Sequence, residues 1–277
     1  MTIATALARA TERLEAAGIV AAGHDARILL AEALRVERMR LALEPERNLS
    51  GAEQAMFDVL VARRLAREPV SRIVGRRLFW DRMFTITADV LDPRPETEVL
   101  ITTALEGAAP ERFLDLGTGS GIIAVSLLAE WPGASAVATD LSPSALKVAR
   151  ANAEAHGVAD RLTLLESDWF AAVDGRFDLI VSNPPYIAAK ELALLAPEVR
   201  DHDPAMALTP GGDGFSAYHA ITEGAAEHLT PGGRLIVEIG ARQGNKVAAI
   251  FKRAGFERVR VRQDFDRRDR VVSGIRP

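Results

Sequence analysis

Apolar positions divide the chain into regions of different period. From residue 1 to about 75 they recur at helical spacing: Leu7, Leu14 and Ile19, then Ile28, Leu29 and Leu34, then Met56, Val59, Leu60 and Leu65. Pro45 and the stretch from Asn48 to Gly51 interrupt the pattern, and Ser50 is placed to cap a helix over GAEQAMFDVLVARRLARE. The spacing predicts a helical bundle over 1–75. From Glu96 the period changes. ETEVLITTALEG, GIIAVSLLAEWP and SALKVARANAEAHG read as helices, whereas RFLDLG, SAVATDLS, LTLLESD, FDLIVSNPPYI and RLIVEIG read as strands. Such alternation implies an α/β domain with a mostly parallel sheet and helices on both faces. ERVRVRQDF and RDRVVSGI predict a closing β-hairpin. Between the two regions, aromatic and β-branched residues around Asp81-Arg82 predict a short hairpin ended by Pro93 and Pro95. The expected domains are therefore a helical domain at 1–75, a β-hairpin connector at 76–95 and an α/β domain at 96–277.

Composition narrows the function. The 277 residues are 48% apolar and 26% charged, as in ordinary globular proteins. No apolar run reaches the roughly 18 residues of a membrane span, and Arg9, Glu12, Arg13 and Glu15 interrupt any signal-peptide core, so a cytoplasmic location is expected. With no cysteine, disulfides, thiolate metal sites and thiol nucleophiles are excluded. Lys and Arg total 34 against 38 Asp and Glu, for a net charge of −4. That is not the basic excess of a phosphate-neutralising protein, and direct nucleic-acid binding is not expected. His24, His156, His202, His219 and His228 lack metal-ligand spacing, so no metal is expected. In residues 1–75, 11 Arg nearly balance 10 acids, which predicts solvated helices that position or bind a partner.

The chemistry concentrates in two motifs. DLGTGSG, residues 115–121, lies between a strand and a helix, and Gly117, Gly119 and Gly121 allow a tight turn and close approach of a ligand to exposed N–H groups. Thr118 and Ser120 share that loop. Asp140 ends the next strand, where a carboxylate can accept both ribose hydroxyls of an adenosine cofactor. The glycines are spaced G-x-G-x-G rather than the G-x-G-x-x-G of dinucleotide sites. Asp115 before the loop would repel a pyrophosphate and suit the cationic end of S-adenosylmethionine, which favours the methyl donor over NAD. After the following strand, Asp168 can accept from an adenine amino group and Trp169 can flank the ring.

The second motif is Asn183-Pro184-Pro185-Tyr186, at the end of the strand FDLIVS. Its prolines stiffen the turn and leave carbonyls free. The Asn183 amide oxygen and the Pro184 carbonyl could together hold both hydrogens of a substrate –NH₂ on a planar group, with Tyr186 packed against that group. Holding those hydrogens helps to localise a delocalised nitrogen lone pair and aim it at an electrophilic methyl. On residues alone the acceptor stays open: a nucleobase amino group requires the same motif, and a non-catalytic S-adenosylmethionine-binding module is the reading from a different class.

Together these motifs resemble class I S-adenosylmethionine-dependent N-methyltransferases, and more closely the PrmC (HemK) family of glutamine N5-methyltransferases. The likeness spans nearly the whole chain. It includes PVSRIVG (69–75), FWDRMF (79–84), DPRPETEVL (92–100), SDWF, GGDGFSAYHAI (211–221), GGRLIVEIG (232–240) and RVVSG. The resemblance implies a Rossmann-like, seven-stranded methyltransferase sheet behind an N-terminal helical bundle. It implies S-adenosylmethionine contacts from Gly117 to Gly121, Asp140, Asp168, Trp169 and Asn183. Catalysis would fall to Asn183, Pro184 and Tyr186, with Asn183 to Tyr186 holding the glutamine of a Gly-Gly-Gln loop in class I peptide chain release factors. A monomer is expected. Arg72, Asp92 and His202-Asp203-Pro204 depart from the family pattern. Arg94, Glu96 and Glu98 either favour a helix start or wall the site. The proline- and glycine-containing stretch from Ala188 to Gly214 is long enough to form a lid. Glu238 is expected near the carboxyl edge of the sheet.

Overall fold

The computed structural model describes residues 1–277, which divide into two compact units. The first comprises Met1–Arg76 with Pro197–His202, and the second Arg77–Ala196 with Asp203–Pro277. In the first unit, helices α1 (Ile3–Ala16), α2 (Ala22–Leu34), α3 (Arg38–Leu43), α4 (Gly51–Leu65) and α5 (Val70–Val74) enclose a core that includes Leu14, Leu29, Leu30, Phe57 and Val61. Ser50 caps α4 as expected, with Glu53 returning a bond to the Ser50 N–H in a full capping box. The charges here are not all solvated. Arg64 donates to Asp25 at 2.8 Å, with both side chains only 9% exposed. Arg64 and Arg67 also hold Glu198, on the short helix α9 (Pro197–Arg200), at 3.2 and 3.1 Å. The near balance of charge thus conceals a buried pair, the arrangement a low-dielectric interior demands of charged groups.

The second unit begins at Arg77, within the hairpin β1 (Arg76–Phe79) and β2 (Arg82–Thr85). Its turn residues Trp80 and Asp81 both have positive φ, 48° and 54°, the handedness that matches strand twist in a two-residue hairpin. Glu130 secures that turn by accepting from the Trp80 indole at 3.0 Å and pairing with Arg82 at 3.0 Å. Phe79 and Phe84 are buried in the same core as Ile123 and Leu127, so the hairpin is packed on the α/β unit.

Beyond it run α6 (Glu98–Leu105), β3 (Arg112–Leu116), α7 (Ile122–Glu130), β4 (Ser135–Asp140), α8 (Pro143–Ala155), β5 (Leu162–Glu166) and β6 (Phe177–Ser182). After α9 and α10 (Ala205–Leu208), α11 (Ser216–His228), β7 (Leu229–Glu238), α12 (Gly244–Arg253), β8 (Glu257–Gln263) and β9 (Asp269–Ile275) complete the chain. The seven strands lie in the order β5-β4-β3-β6-β7-β9-β8, with β9 antiparallel to both neighbours and all other pairs parallel. One face of the sheet is covered by a core containing Leu100, Ile123, Val125 and Leu179, and the other by one containing Tyr218, Ile221, Val247 and Phe251. From β3 the chain winds outward through β4 and β5, then returns to β6 and winds the other way. Carboxyl ends flanking such a reversal form the ligand crevice of open α/β sheets.

Asn152 of α8 ties this region together. It is 1% exposed, accepts from the Thr85 N–H at 2.8 Å, and donates to the Thr85 carbonyl at 3.1 Å and the Ser120 carbonyl at 2.8 Å. Replacing Asn152 with Ala orphans backbone groups of both the hairpin and the glycine loop. Chemical denaturation is expected to show a loss of about 2–4 kcal/mol of stability; a change below about 0.5 kcal/mol, the size typical of surface substitutions, contradicts this role.

Candidate active site

The carboxyl ends of the parallel strands open on a cavity of about 530 Å³. Its lining includes Gly117, Thr118, Gly119 and Ser120 of the first motif, Asp140, Asp168, Trp169, and Asn183 and Pro185 of the second. Gly121, Pro184 and Tyr186 are not in the lining.

The glycine loop is built by bonds to the neighbouring strand. The Thr118 N–H donates to the Thr139 carbonyl at 2.8 Å, and the Gly121 N–H to the Thr118 carbonyl at 2.9 Å. Asp140 receives the Gly119 N–H at 2.8 Å on one oxygen and the Ser142 N–H at 2.9 Å on the other, so its carboxylate is fixed in orientation. Gly117 and Gly119 have φ of 69° and 56°, and a Cβ on either would project into open space. These two positions keep the backbone accessible to a ligand. Gly121 serves packing instead: a Cβ there would sit 3.1 Å from the Ala149 Cα of α8.

Asp115 differs from its expected role. It is fully buried and outside the cavity lining, with Oδ2 accepting from the Thr118 hydroxyl at 2.6 Å and the Ala124 N–H at 3.2 Å. Burial pushes its carboxyl up to about 7, opposed by those two bonds. It braces the loop and the start of α7. Its Oδ1 has no protein partner.

In the second motif, Asn183 Nδ2 donates to the Thr97 hydroxyl at 3.3 Å, and Thr97 also lines the cavity. Gln243 supports the turn by donating to the Tyr186 carbonyl at 2.9 Å while accepting from the Gly240 N–H and the Tyr218 hydroxyl. Gly214 is needed at its place: its φ is 85°, and a Cβ would lie 2.5 Å from the Tyr186 carbonyl oxygen. The Tyr186 ring packs against the core beneath α11 and α12, and burial raises its phenol pKa, with the Glu238 charge adding to the rise.

The charged residues of Pro-Glu-Thr-Glu and its preceding Arg are paired around the site. Arg94 holds the buried Asp203 at 2.6 Å, Glu96 meets Arg270 at 3.5 Å, and Glu98 accepts from the Trp80 N–H at 3.4 Å. Asp92, a departure from the family pattern, pairs with Arg77 at 3.1 Å. Asp203 accepts the Asp92 N–H at 3.3 Å, so two departing positions are neighbours. His202 reaches the Ala66 carbonyl at 3.3 Å, and Arg72 is buried in α5. The long stretch after the second motif is short helices and turns, and its Pro204, Met206, Ala207, Thr209 and Pro210 form a wall of the cavity. Sequence reasoning overlooked Thr97, whereas the wall falls within the stretch expected to form a lid. The signal for Thr97 lay inside Pro-Glu-Thr-Glu, as the one uncharged side chain between two acids.

Residues 5–75 match a family model described as the PrmC N-terminal domain, and residues 87–216 match the methyltransferase small domain. A release factor glutamine methyltransferase of Cereibacter sphaeroides is 58% identical, over 100% of this chain and 99% of that one. The chain belongs to the release factor glutamine methyltransferase family. A Caulobacter vibrioides member is 42% identical over 100% of this chain and 97% of its own. Among solved structures, a methyltransferase from Pyrococcus furiosus shares the fold, with a TM-score of 0.53 at 19% identity, covering 69% of this chain and 87% of that one. The family membership makes the chain an enzyme, and the Rossmann-like methyltransferase sheet expected from sequence is the one found.

Glu238 ends β7 and is 1% exposed. Burial lifts its carboxyl from 4.5 to about 7, against the opposing influence of the Thr97 and Asn183 side chains. The folded chain therefore keeps a proton that the unfolded chain has released. That contribution to stability is full below pH 4.5 and is lost as pH rises through about 7. Over that window wild-type stability should fall by about 1.4 kcal/mol per pH unit relative to Glu238→Gln. Parallel denaturation curves for the two proteins at every pH contradict the assignment.

Proposed function

We propose that this enzyme transfers the methyl group of S-adenosylmethionine to the side-chain amide N5 of the glutamine in the Gly-Gly-Gln motif of peptide chain release factors. The observation that carries the reading is the shared cavity: the glycine loop and Asp140 line it together with Asn183. The residues fit an adenosine-bearing methyl donor. Open space beside Gly117 and Gly119 leaves room for a ligand against the backbone, and the oriented Asp140 carboxylate retains acceptor capacity for two ribose hydroxyls. Trp169 supplies an apolar ring surface for adenine, with Asp168 beside it in the lining. When bound, S-adenosylmethionine supplies an electrophilic sulfonium methyl.

The protein's task is then to make a weak nucleophile attack. Asn183 Oδ1 and the Pro184 carbonyl accept the two N5 hydrogens, turning the nitrogen lone pair out of amide conjugation and towards the cavity. The stiffness of Pro184-Pro185 keeps those acceptors in place without a reorganisation cost. Tyr186 completes the holding of the glutamine side chain. No strong base is required, because the nitrogen becomes acidic only as it gains the methyl and then releases one proton. Apolar residues in the lining, Val90, Ile122, Met206 and Ala207 among them, limit water at a centre whose charge disperses during transfer. The helical unit is the partner-binding part, acting as a monomer, and no metal or nucleic acid takes part.

Incubation of the purified chain with labelled S-adenosylmethionine and a release factor should place one methyl on the Gly-Gly-Gln glutamine, and a factor with alanine there should remain unlabelled. Equal labelling of both factors, or none of either, defeats the proposal. Asn183→Ala is expected to lower turnover by about a hundredfold or more, the scale of an oriented polar contact at a reacting centre, with cofactor affinity changed only several-fold. Asp140→Ala should instead weaken S-adenosylmethionine binding by at least about tenfold through two lost hydrogen bonds. Calorimetry showing unchanged affinity would rule out the ribose assignment.

A further inference from the structure

An asparagine amide can present either its oxygen or its nitrogen to a ligand, and the chemistry above works only with the oxygen turned to the substrate –NH₂. Something must therefore set the orientation of Asn183. Thr97 is placed to do so. It is 2% exposed, follows Glu96 in the turn before α6, and its hydroxyl lies 3.3 Å from Asn183 Nδ2. Behind it stands Glu238. The parallel register pairs Ser182 with Val237, so the next residues along, Asn183 and Glu238, emerge side by side from β6 and β7.

Glu238 is the buried group that gives this arrangement a direction. The cation that acts on it, Arg270, is itself bonded to Asp264 at 2.8 Å and Glu96 at 3.5 Å. Thr97 and Asn183 are the neighbouring side chains that favour its charged form, and its Oε2 has no hydrogen-bond partner. A threonine hydroxyl has a single proton to give. When that proton is directed to the Glu238 carboxyl, only lone pairs are left facing Asn183, and only the NH₂ end of the amide can meet them. The flipped amide would set oxygen against oxygen beside a buried acid.

We propose that Thr97, backed by Glu238, is a positioning residue that fixes the Asn183 amide with its oxygen towards the substrate. The inference rests on the glutamine methyltransferase reading and extends it to the residues that make Asn183 competent. It also gives Pro-Glu-Thr-Glu a division of labour: the acids are paired around the site, and the threonine faces Asn183.

Thr97→Val removes the hydroxyl at constant shape, and Thr97→Ser restores it. With release factor as acceptor, Thr97→Val is expected to lower kcat about tenfold or more, the equivalent of one directed hydrogen bond. The KM for the factor and the calorimetric affinity for S-adenosylmethionine should stay within about threefold, a spread smaller than one such bond. Thr97→Ser should return kcat to within that same margin. Wild-type turnover by Thr97→Val, or a serine variant as impaired as the valine one, overturns the proposal.

Glu238→Leu provides a second variant that does not depend on Thr97→Val folding, since replacing a buried carboxyl by an apolar side chain removes a desolvation cost. It should show the same fall in kcat at unchanged KM, and unimpaired turnover would overturn the relay. A readout independent of catalysis separates this inference from the functional reading. The Asn183 side-chain NH₂, followed by ¹⁵N NMR, should have one proton protected from exchange in the wild type and none in Thr97→Val. Loss of that protection in a chain unable to methylate release factor would uphold the positioning role and reject the substrate. Identical exchange in both proteins would reject the positioning role whatever the substrate.

Discussion

The site depends on one row of the sheet. Thr139, Leu116, Ser182 and Val237 stand level on β4, β3, β6 and β7, since Leu116 pairs with both Thr139 and Ser182, and Ser182 pairs with Val237. All four are at most 1% exposed, and the Ser182 hydroxyl donates to the Leu116 carbonyl at 2.7 Å. The residue after each leaves the row at the carboxyl edge: Asp140, Gly117, Asn183 and Glu238. Four groups widely separated in sequence are thus brought abreast by parallel pairing alone. A slip of one residue on any strand would turn its side chains to the opposite face, so the buried row holds the register on which the chemistry relies.

Three of the loops leaving that row are stiffened by different means. Beyond Leu116 the chain turns through positive-φ glycines while Thr118 bonds back to Thr139. Beyond Ser182 two prolines restrict the backbone, Gln243 donates to the Tyr186 carbonyl, and Gly214 packs so close to that carbonyl that no side chain fits there. Beyond Thr139 the Asp140 carboxylate is itself the bolt, receiving N–H groups from Gly119 and Ser142. The result is a cavity whose polar groups are oriented before anything enters it, and such pre-orientation is the main contribution a protein can make where the reacting nitrogen is intrinsically poor and the methyl donor intrinsically reactive.

Much of this was legible in the residues because local and global signals agree. Alternating periods predicted the α/β sheet, the Ser50 cap and the hairpin at Asp81 are where the pattern set them, and both motifs fall at strand ends. The parts that were not legible depend on long-range burial. Nothing in the local sequence distinguishes Asp25 and Arg64, 39 positions apart, from solvated surface charges, yet they form a buried pair. Asp115 precedes the glycine loop in the manner of a ligand-facing acid, but its strand position directs it inward, where Thr118 and Ala124 use it. Helices α11 and α12 were passed over because their sequences lie beside stronger signals: α11 follows the GGDGF glycines, and α12 separates two strands. The wall formed by residues 204–210 lies in the stretch whose length and composition suggested a lid, but which of its residues line the cavity is a tertiary arrangement with no periodic signature.

The same contrast explains why motif charges are poor guides to which side chains act. In the Arg-Pro-Glu-Thr-Glu run, the three charged residues drew attention, and each is paired within the protein, with Asp203, Arg270 or the Trp80 N–H. Charge this close to a largely apolar cavity has to be neutralised or hydrogen-bonded to be tolerated. A neutral hydroxyl is cheaper to desolvate and can be both donor and acceptor, so it can carry direction from a buried acid to an amide without bringing charge to the reacting nitrogen. The charged side chains hold the turn in place, and the uncharged Thr97 is the member of the run that touches both Asn183 and the cavity.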